Sequence, residues 1–474
     1  MNIIQSRQTA VRTKISLLLA GAFFMGVAQC HAQKSGSGLR HWEIASADPD
    51  RMFLTFHGDP ASGRAITWRT AGDTKTLAYA EIAKASGNST FARKAIRIEA
   101  KTEMLDLNVS KRNKQGTVNY HSAIFKDLDP DTLYAYRVGD GGKRWSEWIQ
   151  FRTASREAKP FKFVFFGDAQ NGILTHWSRT IRMAYQTAPD ASFALHAGDL
   201  INKSHVDNEW AEWFKAGSFL HSQWTGVPVV GNHEYIGDTK AIKKDLSIQW
   251  RPQFTLPVEE DLPEELHETV YTVEYQGMQL ILLNSNKLIA EQKPYLESQL
   301  KKPGFRWRVV AFHHSVFSPR RGISETSMAI EKRWRPLFEK YNVDMVLQGH
   351  DHAYTRGQVP IRGKAEFVKN TFQTMYVTSV SGPKQYPLNP KHMKTFGPRG
   401  LETIRNGEHT QFFQVIGADG DKLNYRAYAT TGELYDEATI TKNFKTGKKK
   451  ITQEIPDVKE RVFPSKSGDK KGKK

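Results

Sequence analysis

The chain of 474 residues contains one cysteine, Cys30. A lone cysteine forms no intrachain disulfide and assembles no thiolate site for zinc or an iron–sulfur cluster. A metal held by this chain would have to be bound by His, Asp, Glu, Asn or Gln. Long apolar runs are also missing. The longest, Ile15 to Ala28, has 14 residues and is too short to span a bilayer comfortably, so no transmembrane segment is expected. There is no zinc-finger spacing, no RNP-like aromatic motif and no recognition helix, so no nucleic-acid recognition module is expected either. At 39% hydrophobic and 25% charged, the composition excludes the disordered and membrane classes.

What is present begins with the N-terminus. Arg7, Arg12 and Lys14 precede the apolar stretch, and small residues at Cys30 and Ala32 follow it. This is the layout of a secretory signal peptide over residues 1–32, cut after Ala32. Cys30 also raises a lipoprotein signal, against which Gln29 stands. The expected location is periplasmic or secreted, and the mature chain then has no cysteine at all.

The net charge of +18 is unevenly placed. Residues 441–474 carry 12 Lys/Arg against 4 Asp/Glu, and the first 32 residues add three cations and no acid. The body between them is only mildly basic. The last stretch reads as a solvated basic tail that can touch anionic surfaces.

Between these ends the pattern changes once. Residues 46–155 alternate short apolar and polar runs between turn signals (MFLTF, GDPASGR, AITWRT, LDPDTLYAYRVGD), as in an antiparallel β-sandwich. From 160 to 440, apolar runs alternate with longer helical stretches, as in a layered α/β domain. The runs are FKFVFF, SFALH, GVPVV, MQLILL, RWRVVAF and VDMVL. NEWAEWFKAGSFL and TSMAIEKRWRPLFEKY read as helices. Strands from about 411 onward are expected to complete a sheet of this second domain.

Five of these strand ends carry polar clusters: FFGDAQ, HAGDLIN, VVGNHE, VVAFHHS and QGHDHAY. Singly, Gly-Asp is an ordinary turn and a lone His an ordinary strand-end residue. All five at the same end of their strands, where ligand sites form in such sheets, point to metal chemistry. Two cations roughly 3.5–4 Å apart need one bridging carboxylate and several terminal O and N donors. Asp199, on the middle strand of the series, is the natural bridge. Asp168 serves one metal, Asn232 and His313 the other, with His350 and His352 shared one to each. In an extended segment residues two apart face the same side, so GHDH would present both imidazoles while Asp351 points away.

This series of GD, GD, GNHE, strand-end His and GHxH resembles the calcineurin-like metallophosphoesterase superfamily. GHDHAYTR, together with AITWRT, LDPDTLYAYRVGD, FRTA and VYTVEYQGMQLILLNS, makes the nearer resemblance to purple acid phosphatases over about residues 45–440. The resemblance implies a fibronectin-III-like N-terminal β-sandwich followed by a four-layer α/β metallophosphoesterase sandwich. It implies Asp168 and His352 on the first metal, Asp199 as bridge, and Asn232, His313 and His350 on the second. The family's V-x-x-H pattern, counted from Val310, selects His313 over His314, which becomes a second-layer or substrate contact. His233 matches the histidine beside the leaving group. There are two departures. The family's metal-binding, colour-giving tyrosine is Asn202 here, and the residue two after the first Asp is Gln170, whose amide oxygen is open as a ligand. The protein is therefore not expected to be purple.

The function implied is an exported dinuclear phosphatase, with Fe, Zn or Mn, that hydrolyses monoesters of a small phosphorylated substrate by attack of a metal-held hydroxide. Alternatives are a phosphodiesterase or nucleotide hydrolase on the same centre, or a secreted metal-containing binding protein.

Overall fold

A computed structural model describes residues 39–74, 77–237, 245–360 and 372–463. The signal-peptide reading over 1–32 lies outside the described residues, as do residues 464–474 of the basic tail. No helix among the described residues is long and apolar enough to cross a membrane.

The N-terminal part is a β-sandwich. Strands Asp50–Thr55, Arg64–Ala71, Thr117–Phe125 and Lys101–Asp106 form one face. Strands Ile96–Glu99, Tyr79–Lys84, Leu133–Gly139 and Ile149–Arg152 form the other. Period-two alternation sends Leu54, Ile66 and Trp68 from the first sheet and Ala80, Ile82, Tyr136 and Val138 from the second into one buried core.

The second part has two sheets with helices outside them. In the first sheet, Phe161–Phe166, Phe193–His196 and Thr225–Pro228 run parallel, with Phe193–His196 in the middle. The strands from Phe412 onward extend that sheet antiparallel, as expected of the stretch after 411. In the second sheet, Met278–Leu282, Trp307–Ala311, Met345–Gln348 and Phe372–Thr378 run parallel. Val309, Ala311 and Leu347 join Phe163, Phe165 and Leu195 in the core shared by the two sheets. Val310, Phe312 and Val346, one residue out of phase, pack instead with Leu296, Ile330, Trp334 and Phe338 of the outer helices. Strands buried on both faces are apolar at every position, so these runs showed no alternation.

Three features differ from the expectation or add to it. First, the sandwich is not a pendant module. Thr55 pairs in parallel with Gly226, so both parts share one sheet, of 11 strands among the described residues. Phe53 leaves the sandwich to pack 4.7 Å from Phe254 and 5.5 Å from Trp213, and a Cβ on Gly226 would sit 2.1 Å from its ring. Arg51 grips Asp207 through both terminal guanidinium nitrogens at 2.7 and 2.8 Å.

Second, the stretch read as a solvated tail is folded through residue 463. Lys442 ends one strand and Lys449 begins another. Both ammonium groups are buried on Asp344, at 2.9 and 3.1 Å. A run of lysines does not reveal the buried carboxylate that awaits two of them. Third, TSMAIEKRWRPLFEKY is two helices, Glu325–Arg333 and Arg335–Lys340, because Pro336 lacks the N–H that a continuous helix needs.

Candidate metal centre

The C-terminal ends of five parallel strands, three from the first sheet and two from the second, open on one place. Asp168 follows Phe161–Phe166, Asp199 follows Phe193–His196 and Asn232 follows Thr225–Pro228. His313 follows Trp307–Ala311, while His350 and His352 follow Met345–Gln348. Asp168, Asp199, His313 and His352 form a fully buried floor; Asn232, His233, His314 and His350 are partly exposed above it.

Two donor clusters meet in this space. One is Asp199, His313 and His350; the other is Asp168, Asp199 and His352. Asp199 belongs to both. In the first cluster, His313 donates from Nδ1 to the Ala197 carbonyl at 2.8 Å, which directs Nε2 inward. Around that nitrogen lie Asn232 Oδ1 at 3.1 Å, His350 Nδ1 at 3.2 Å and Asp199 Oδ2 at 3.2 Å. These four atoms can all act as acceptors, and a metal ion placed among them would satisfy them together. In the second cluster, His352 donates from Nδ1 to the Lys384 carbonyl at 2.6 Å, and its Nε2 stands 3.3 Å from Asp168 Oδ2. Both of these buried atoms lack a hydrogen-bond partner among the described residues. An orphaned buried carboxylate oxygen and imidazole here, with the Asn232 amide oxygen in the other cluster, make a donor set that fits Fe, Zn or Mn.

The electrostatics agree. Burial pushes the Asp168 carboxyl up to about 7. Burial alone would lower His313, but the Asp199 and Asp168 carboxylates outweigh it and raise the imidazole to about 9. Burial would raise Asp199, yet the His313 and His233 imidazoles hold it well below the usual range. The same carboxylates that raise His313 would favour a metal cation in this space.

GHDH is not extended. The strand stops at Gln348, and His350 and His352 have φ of +75° and +52°. The two imidazoles converge because both residues turn into the left-handed region, not because a strand alternates. Asp351 does point away, toward Arg321 Nε at 3.6 Å. Gly349 is needed because a Cβ there would lie 2.4 Å from Asp168 Oδ1, and Gly231 because one would lie 2.2 Å from Asp199 Oδ1.

His233 donates from Nδ1 to the Asn202 carbonyl at 2.7 Å, leaving Nε2 3.8 Å from Asp199 Oδ2. Burial lowers its pKa, and Asp199 restores part of the loss. His314 bonds through Nδ1 to Ser285 Oγ at 2.8 Å and lies against His350, ring centres 4.3 Å apart. Gln170 is fully buried and donates from Nε2 to Asp199 Oδ2 at 2.6 Å.

Two residues were not singled out from sequence. Glu234, inside the GNHE motif, is fully buried and accepts backbone N–H bonds from Gly231, Asp199 and Leu200 at 2.6, 2.9 and 2.8 Å. It ties the loop of the bridging carboxylate to the loop of Asn232. Lys384, on the loop after Phe372–Thr378, places Nζ 3.3 Å from Gln170 Oε1. Its signal was position alone: it follows a further parallel strand of the second sheet.

Comparison with known proteins adds two family models. One, described as purple acid phosphatase N-terminal domain, matches residues 49–153. The other, described as calcineurin-like phosphoesterase, matches residues 161–354. The chain is 24% identical to purple acid phosphatase 1 of Ipomoea batatas over 409 residues, covering 78% of this chain and 81% of that one. It is also 24% identical to the Fe(3+)-Zn(2+) purple acid phosphatase 12 of Arabidopsis thaliana over 366 residues, covering 66% and 74%. The yellow lupin purple acid phosphatase PPD1 superposes with a TM-score of 0.67 at 18% identity, covering 85% of this chain and 76% of that one. PhoD superposes with a TM-score of 0.62 at 13% identity, covering 88% and 94%. At these identities the superpositions speak to the fold.

Proposed function

We propose that this chain, which belongs to the calcineurin-like metallophosphoesterase superfamily and carries the domain pairing of purple acid phosphatases, is an exported phosphatase acting on phosphate monoesters. The observation that carries the reading is the pair of donor clusters sharing Asp199, with an imidazole beside them that ligates nothing. Asp168, Asp199 and His352 would hold one metal; Asp199, Asn232, His313 and His350 the other. A bound metal pair supplies an acidified water as nucleophile and neutralises the phosphoryl oxygens.

The chain's own residues do the rest. Asp199 is fixed for both clusters by the His233 backbone N–H on Oδ1 at 2.8 Å and the Gln170 amide on Oδ2. The Asn202 carbonyl locks the His233 ring so that Nε2 faces the reacting side. From there it protonates the departing alkoxide, a role worth about 10²–10⁴-fold. On the rim, Arg320 and Arg321 flank the Tyr386 ring at 5.7 and 5.8 Å, and that ring lies 4.9 Å from His352. A cationic aromatic rim of this kind favours, as second reading, a nucleotide or diester hydrolase.

The test is turnover of para-nitrophenyl phosphate and its bis ester by protein reconstituted with Mn, Fe or Zn, with and without EDTA. Monoester turnover abolished by EDTA is expected. Diester turnover alone would install the second reading, and turnover of neither would sink both. Export predicts a secreted protein whose N-terminal sequencing begins at Gln33.

A further inference from the structure

We propose that Lys384 and Gln170 act together to leave the first metal with three protein ligands, Gln170 serving as a hydrogen-bond donor to the bridging carboxylate and not as a ligand. The inference rests on the dinuclear reading above. Its starting point is the direction of one buried amide. An ammonium can only donate, so the oxygen of Gln170 is the atom that faces Lys384 Nζ at 3.3 Å. The NH₂ group must then face Asp199 Oδ2, where it stands at 2.6 Å. An amide nitrogen turned this way offers no lone pair to a metal. The position that the family resemblance opened for an oxygen ligand is filled by a donor.

The same lysine sets the other side of the site. Its carbonyl accepts the Nδ1–H of His352 at 2.6 Å, which fixes the tautomer and leaves the Nε2 lone pair toward Asp168 Oδ2. One residue thus orients a ligand with its backbone and withholds another with its side chain. Asn202 contributes to the site through its backbone carbonyl, on which His233 donates. The first metal is left with Asp168, Asp199 and His352, against four protein donors for the second: Asp199, Asn232, His313 and His350. It also sits beside a lysine cation. Fewer ligands and a nearby positive charge disfavour a trivalent ion and make this the weaker, exchangeable site. Lys384 is a positioning residue, and its action is read in metal binding.

The experiment is calorimetric titration of EDTA-stripped full-length protein with Mn(II) or Zn(II), with metal content measured in parallel. The wild type should bind two ions in two unequal steps. Gln170→Leu, which removes a hydrogen bond from the shared Asp199 but no ligand, should weaken both steps by a similar factor. Gln170→Glu and Gln170→His, which supply a ligand atom, should tighten the weaker step by tenfold or more. Lys384→Met, which frees the amide to rotate and removes the cation, should tighten the weaker step alone; Lys384→Arg should restore wild-type behaviour. A loss of tenfold or more confined to the weaker step of Gln170→Leu, with the stronger step unmoved, would overturn the inference, since the amide would then be a ligand of the first metal alone. So would a weaker step unmoved by Lys384→Met. Should Gln170→Leu fail to fold, the Gln170→Glu and lysine variants decide alone. A wild type that takes up no ion overturns the dinuclear reading itself, a result distinct from either.

Discussion

Replacing Glu234 by Gln removes one carboxylate oxygen and puts an NH₂ group in its place, at almost constant volume. Its two oxygens accept from four backbone donors. Oε2 serves Gly231 and Asp199 at 2.6 and 2.9 Å, and Oε1 serves Leu200 and Ile201 at 2.8 and 3.4 Å. Whichever way the amide turns, one pair of donors loses its acceptor in a fully buried place. Burial and the Asp199 carboxylate push Glu234 up to about 8, but four N–H donors leave a carboxyl proton no acceptor and hold the group ionised. At about 1.5–3 kcal/mol for each hydrogen bond to a charged group, the cost is roughly 3–6 kcal/mol. With an unfolding entropy of about 2.1 cal/mol/K per residue over some 400 residues, 1 kcal/mol corresponds to about 1 °C in Tm. Scanning calorimetry of the EDTA-treated variant should therefore show a fall of roughly 3–6 °C.

The metal-loaded comparison carries the sharper content. Glu234 holds the Asp199 loop to the Asn232 loop, and both would contribute ligands. If loosening them weakens metal binding about tenfold, the variant forfeits a further ~1.4 kcal/mol of ligand stabilisation, because metal binds the folded state alone. The drop in Tm should therefore be larger with metal than without, by about 1–2 °C. Equal drops in the two states would make Glu234 a residue of the fold with no hold on the centre. A drop below 1 °C in both would refute the clamp altogether.

Four further outcomes are expected. Asp199→Ala removes the donor common to both clusters, so elemental analysis should find both ions lost and turnover gone. His233→Ala should retain both ions and lose about 10²–10⁴ in kcat, which distinguishes proton transfer from metal holding. His121 is buried between Thr70 and Thr102 hydroxyls at 2.8 and 2.9 Å, and burial lowers its pKa from 6.5 to about 4. A depressed histidine contributes stability that is complete above pH 6.5 and lost as pH falls through 4. Denaturant midpoints should show a loss of up to about 3 kcal/mol across that window, flattened in His121→Gln. Arg51→Met should cost about 3–5 kcal/mol in thermal unfolding, less whatever Arg69 Nη1, 3.4 Å from Asp207, recovers for the stranded carboxylate.

What could be read in the chain beforehand depended on whether a residue's function follows from its own position along the chain. Asp168, Asp199, Asn232 and His313 each follow an apolar run by one to four residues, and a parallel strand has only one C-terminal end. Knowing the strands was enough to send these side chains to a common edge, even though the strands belong to two sheets. Glu234 and Lys384 act on groups far away in sequence, and no local pattern encodes that. Glu234 satisfies N–H groups 33 to 35 positions upstream. Lys384 reaches Gln170 across 214 positions. The GHDH segment shows the same limit at short range. Its two histidines were found from the strand-end motif, but a period-two rule cannot foresee that both His350 and His352 take positive φ. The His350 N–H is held by Asp168 Oδ1 at 2.6 Å, and His352 Nδ1 by the Lys384 carbonyl. The His352 contact runs through the backbone of Lys384 and the Gln170 contact through its side chain, so Lys384→Met should release the Gln170 amide and leave His352 in place.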